Sequence, residues 1–290
     1  MRGFRFGVVV IFLSLAGAAC AHGGSPPGKS AISGASVDEA AASASAQVST
    51  RELGYDAGGT HLKGMLAYPA HAGGPRPGVL VLPEWWGLND HGRERARALA
   101  ELGYVALAAD LFGEGKNTEH AADAQKMMME LMSNQEVAAQ RFEAALATLK
   151  ADPHVDPNKI AAIGFCMGGA VALAAARRGD DLDLVGVFHG NYATQTPMPK
   201  GAFAGKIFIA HGAADSFNPP DKVQALKQEL DGAGARYEIV SYAGAKHGFT
   251  NPAATELGIK NGLDLAYDAQ ADAQSWAKLQ ELLQEAFPES

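Results

Sequence analysis

Residues 159–170, Lys-Ile-Ala-Ala-Ile-Gly-Phe-Cys-Met-Gly-Gly-Ala, constrain this chain more than any other stretch. An apolar run ends at Gly164, and a helix pattern of small residues begins after Met167. Between them Cys166 stands in the frame G-x-C-x-G. The frame reads as a nucleophile elbow, a strand turning sharply into a helix, with sulfur where the usual motif carries serine. Such a turn strains the nucleophile's backbone, and a Cβ two residues before or after it would collide with neighbouring backbone. The side chain is then held above a sheet at a helix N-terminus, where the dipole favours a thiolate. A buried structural cysteine is the plainer alternative, since free cysteine is often buried. Strand, glycines and helix together favour the nucleophile.

An elbow needs a sheet beneath it, and the chain supplies one. Apolar runs at 78–83, 104–109, 160–163, 184–188 and 207–210 read as strands buried on both faces, as in a parallel sheet. The run at 237–242 alternates more and belongs nearer an edge, while 52–55 and 61–68 around Ala57-Gly58-Gly59-Thr60 read as an antiparallel hairpin. Helical patterns lie between: 94–102, 121–132, 135–149, 167–178 stopping at Gly179, and 219–230 stopping at Gly232. A last one, 263–287, carries an apolar stripe of Leu265, Trp276, Leu279, Leu282 and Leu283. The methionines at 127–129 and 132 read as core filling. Strand alternating with helix implies an α/β fold, a mostly parallel sheet with helices on both faces. Ligands bind such sheets beyond the carboxyl ends of the strands.

The front of the chain is different. Arg2 and Arg5 precede an apolar run at 7–16, so residues 1–21 read as a signal peptide too short to span a bilayer. Residues 22–49 are Gly-, Ser- and Ala-rich and read as a flexible tether, leaving 50–290 as one folded domain. The expected location is periplasmic or secreted, with a lipid anchor at Cys20 as the alternative to plain cleavage beside it. Cys20 and Cys166 are the only cysteines, so the mature domain has no internal disulfide, and a lone thiol in an exported domain points to reactivity. A net charge of −8 argues against nucleic acid or an anionic membrane surface as partner. Nothing in the sequence sets the oligomeric state, and a monomer is the default.

A thiol needs a base, and the base an orienting group. Asp215 follows the run at 207–210 through a glycine turn, and His247 follows the run at 237–242 in another. Cys166, Asp215 and His247 thus occur in the chain order nucleophile, acid, histidine of the α/β-hydrolase triad. The oxyanion of an attacked carbonyl needs two N–H donors, expected from Met167 and from Trp85 in the loop 83–89. Of the other histidines, His211 reads as structural, His189 as pocket rim, and His61, His71, His91 and His154 as surface. No histidine pair has zinc-site spacing, so no metal and no cofactor is expected.

With these residues in place, the chain resembles the dienelactone hydrolase family. The similarity rests on Pro83-Glu84-Trp85-Trp86-Gly87, Ala109-Asp110-Leu111-Phe112, Gly164-Phe165-Cys166-Met167-Gly168-Gly169, Asp215, His247-Gly248-Phe249, Ala266-Tyr267-Asp268-Ala269 and Trp276. It implies an α/β-hydrolase fold without a large lid and hydrolysis of an ester or lactone through an acyl-thioester. It also implies that Glu84 contacts the cysteine and helps move its proton. The best-known members grip an anionic lactone with two arginines. The matching positions here are Glu114 and Asn251. Glu114 would repel a carboxylate, so a neutral ester, lactone or thioester held by Trp85, Trp86 and Phe249 is the expected substrate. The alternatives are a non-catalytic envelope-associated binding lipoprotein on the same fold, or a thioesterase, transacylase or peptidase using the same triad.

Overall fold

The computed structural model describes residues 47–288 apart from residue 72, so the expected leader at 1–21 and most of the tether at 22–49 lie outside the described residues. Eight strands form one sheet: β1 (Val48–Ala57), β2 (Thr60–Pro69), β3 (Arg76–Leu82), β4 (Val105–Ala108), β5 (Val155–Phe165), β6 (Leu184–Phe188), β7 (Lys206–Gly212) and β8 (Arg236–Tyr242). Their order is β1-β2-β4-β3-β5-β6-β7-β8, with β1 and β2 antiparallel and every pair from β4 to β8 parallel. The helices are α1 (Asp90–Glu101), α2 (Ala121–Met132), α3 (Gln135–Lys150), α4 (Met167–Arg178), α5 (Pro220–Ala233), α6 (Ala254–Asn261) and α7 (Ala269–Ala286). This is the α/β-hydrolase arrangement. Among the described residues no helix is long and apolar enough to cross a membrane.

The continuous apolar runs are explained by what covers them. Along β3, Val79 and Val81 join the core under α1 and α7, while Leu80 and Leu82 join the core under α3, α4 and α5. Neighbouring residues point to opposite faces, so a strand clothed on both sides has no polar positions. Each such side chain contributes roughly 1.5–3 kcal/mol on burial. β8 stands at the sheet edge, as its alternating pattern suggests.

Several boundaries differ from the local pattern. β1 begins at Val48, within the stretch read as tether, because its ladder with β2 runs out to Val48 opposite Pro69. The hairpin closes on Gly58 and Gly59, both at positive φ (55° and 78°), the conformation a two-residue turn between twisted strands demands. Helix α5 passes Gly232 and stops at Gly234, which adopts the left-handed cap at φ 68°. The expected closing helix, 263–287, begins only at Ala269, and a separate short helix, α6, lies before it. α6 ends at the left-handed Gly262, and α7 begins only after Asp268, whose side chain accepts from the Gln270 and Ala271 N–H groups. Leu265 leaves the expected stripe and, with Leu263, packs with Trp86 and Leu257.

Candidate active site

β5 ends at Phe165 and α4 starts at Met167, leaving Cys166 as the single connecting residue, at φ 51° and ψ −113°. A non-glycine residue in such a conformation stores about 1–3 kcal/mol of strain. Two cross-links hold it: Cys166 N–H donates to Phe188 O and Gly168 N–H to Pro83 O, each at 3.0 Å. A Cβ on Gly164 would sit 2.1 Å from the Gly168 carbonyl oxygen, and one on Gly168 would sit 2.4 Å from that of Leu82. Both glycines are sterically required.

The carboxyl ends of β7 and β8 bring the next two residues to the sulfur. His247 donates from Nδ1 to Asp215 Oδ2 at 2.9 Å and hydrogen-bonds the Cys166 side chain. Burial disfavours a charged ring there, but the facing Cys166 and the Asp215 carboxylate outweigh it and hold the imidazole above its ordinary range. Asp215 is buried, which on its own would raise its pKa. Hydrogen bonds from His247, from Asn218 Nδ2 at 3.0 Å and from Phe217 N–H at 2.8 Å prevail and hold it below the usual carboxylate range. Asn218 also donates to Gly190 O, which ties this loop to the end of β6.

Glu84, in the loop after β3, is 3% exposed, and burial pushes its carboxyl up to about 7 against the pull of Asn251, His247 and Arg95. Asn251 Nδ2 donates to Glu84 Oε2 at 2.5 Å, and His91 Nδ1 lies 3.9 Å from the same oxygen. The described side-chain hydrogen bond of Glu84 is therefore to Asn251. The Trp85 N–H and the Met167 N–H, the latter opening α4, donate to no acceptor among the described residues.

The remaining pocket residues fall elsewhere. Trp86 is 2% exposed and packs with Ala124 and Leu257; Phe249 is fully buried against Tyr242 and His189. Both rings belong to the core rather than to a substrate surface, because apolar neighbours cover them. Asn251 is buried and turned to Glu84. Glu114 is exposed at φ 56° and paired with Lys63 at 2.5 Å. His91 is buried, not at the surface, and His189 is fully buried at φ 40°, behind the rim position expected of it. The sequence pattern also passed over Phe217, whose half-exposed ring lies 4.8 Å from that of His247. Its only signal is its place two residues after Asp215 at a strand end.

A model of the dienelactone hydrolase family matches residues 62–287. A solved dienelactone hydrolase-like promiscuous phosphotriesterase from metagenomic libraries is 36% identical, with a TM-score of 0.76 over 82% of this chain and 98% of its own. The solved m3DLH is 38% identical, with a TM-score of 0.78 over 83% of this chain and 99% of that one. A Synechocystis sp. protein provisionally named a carboxymethylenebutenolidase is 28% identical over 238 residues, covering 77% of this chain and 91% of its own length. A match running from the second strand to the end of the last helix takes in the elbow, both partner loops and the Glu84 loop, and on it the chain belongs to the dienelactone hydrolase family.

Proposed function

We propose that the chain hydrolyses a small, neutral carboxylic ester, lactone or thioester through an acyl-thioester on Cys166. The observation that carries this reading is the single hydrogen-bonded line Cys166–His247–Asp215 at the strand ends. His247 takes the thiol proton while the sulfur attacks the carbonyl carbon. The oxyanion settles on the Trp85 and Met167 N–H groups, which have no competing acceptor. Collapse expels the leaving oxygen or sulfur, which takes the proton back from His247, and water activated by the same ring then splits the thioester. Asp215 holds the ring with Nδ1 protonated, so Nε2 faces the sulfur. Glu84 assists thiol activation: its carboxyl, with a pKa of about 7, is poised to hold or release a proton near neutrality.

The neutral acyl group follows from the two positions where arginine is missing. Asn251 is buried against Glu84 and Glu114 pairs with Lys63, so neither offers a cation to a substrate carboxylate. The residues before 22 support export to the periplasm or beyond, with Cys20 the site of any lipid anchor. The test is Cys166→Ala: turnover of p-nitrophenyl acetate falls by about 10³-fold or more. Retained activity removes Cys166 as nucleophile. In the same assay neutral lactones outpace anionic ones, and the reverse ranking overturns the substrate class.

A further inference from the structure

Behind the triad lies a buried polar cluster that the proposed chemistry does not use. Arg95, on α1, is pinned by Asp272 of α7 at 2.5 Å, and its guanidinium lies 4.9 Å from the Trp276 ring and 5.9 Å from that of Phe165. It donates from Nη2 to the Thr250 carbonyl at 2.7 Å and, over a longer 3.4 Å, from Nε to His91 Nε2. The Thr250 hydroxyl is 2.8 Å from His189 Nε2 and 3.4 Å from His91 Nε2. At one end of the cluster His91 Nδ1 faces Glu84; at the other the His189 ring meets the His247 ring edge to face at 5.2 Å.

The donor inventory decides the proton positions. A guanidinium only donates, so the His91 Nε2 that receives it carries a lone pair. The His91 proton therefore sits on Nδ1, the nitrogen facing the Glu84 carboxyl. A second proton on His91 would bring two positive charges together in a buried site. We infer that Arg95, acting through Thr250 and His91, is a positioning residue for both Glu84 and His247, holding the His91 ring in one tautomer and the His189 ring in place behind His247. It touches neither residue by hydrogen bond. Its effect travels through Thr250, whose neighbour Asn251 grips Glu84, and through His189, which backs His247. The groups facing His91 are Arg95 on its own helix, Glu84 from the loop after β3, and His189 from the end of β6 beyond Thr250; Asp272 of α7 lies beyond Arg95. Burial and Arg95 together push its ring down to about 3, against the Thr250 backbone carbonyl, whose hydrogen bond to the ring favours the charged form.

This inference rests on the proposed triad for its kinetic consequence but not for its spectroscopic one. Nitrogen-15 NMR of the histidine rings in the intact protein reads the tautomer directly. The expected result is a neutral His91 with its proton on Nδ1 from about pH 5 to about pH 9. In Arg95→Met the His91 ring moves to the other tautomer or titrates within that range. In both Arg95→Met and Thr250→Val, kcat for p-nitrophenyl acetate drops about 10-fold while KM stays within about 2-fold, the pattern of lost positioning rather than lost binding. Should Arg95→Met not fold, the wild-type tautomer and Thr250→Val decide. A wild-type His91 protonated on Nε2, or a Thr250→Val protein with unchanged kcat, overturns the inference. If Cys166→Ala stays active, the nucleophile assignment fails while the tautomer measurement still stands on its own.

Discussion

One methyl group at residue 168 is enough to close the elbow. A Cβ there meets the Leu82 and Pro83 carbonyl oxygens at 2.4 and 2.5 Å, both backbone atoms that cannot swing aside. Gly168→Ala is expected to cost about 3 kcal/mol or more in urea unfolding. Gly73→Ala, with nothing within 4 Å, should stay within about 0.5 kcal/mol. Glu84 offers a different measurement. Its folded pKa of about 7 stands above the ordinary glutamate value of 4.5, so between those values the folded chain keeps a proton that the unfolded chain releases. Stability from this group is present below the lower value and is lost as pH rises through the higher one, by about 3 kcal/mol. Glu84→Gln has no such proton to lose. Its stability relative to wild type should therefore rise between about pH 4.5 and about pH 8, as read from urea midpoints, and a flat difference would mean the carboxyl is not held protonated.

At the scale of elements, the loops after β7 and β8 carry both the acid and the histidine, and what else they carry separates substrate surface from core. Phe217 is 44% exposed over the His247 ring, whereas Phe249 has no exposed surface. Truncating Phe217 to Ala should lower kcat/KM for an aryl ester about 10-fold with the melting temperature nearly unchanged. Truncating Phe249 should instead cost about 3–5 kcal/mol of stability. Reversed outcomes would exchange the roles of the two rings. The end of the chain shows where element reading reaches its limit. Leu265 fits a helical stripe with Trp276 and Leu279, yet Asp268 caps α7 between it and them, and Gly262 ends α6 before it. The local pattern runs the helix through Asp268, because the packing of Leu263 and Leu265 with Trp86, far away along the chain, is what takes that segment out of the helix.

At the scale of the whole molecule, the sheet order explains how distant segments meet. β3, β5, β6, β7 and β8 run in parallel as neighbours, so the loops after β3, β5, β7 and β8 all open on the same edge of the sheet. Glu84, Cys166, Asp215 and His247 come from those loops, each next to a rigid strand end. The fold places the buried cluster inside this edge by packing α1 and α7 on the same face, so that Arg95 and Asp272 pair beneath the site. Neither residue carries a motif. Both read locally as ordinary charges on the outer face of a helix.

What the amino-acid order alone determined was anything set by local sterics and by residue type along one segment. The elbow at 164–168 follows from glycine geometry, the parallel strands from unbroken apolar runs, and the triad order from its strand-end positions. Tertiary structure decided which polar groups left water. His91, His189, Thr250 and Asn251 are buried against one another, and Trp86 and Phe249 became core instead of pocket wall. Burial and hydrogen-bond partners depend on what other segments bring to the same place, and that information belongs to no single stretch of the chain.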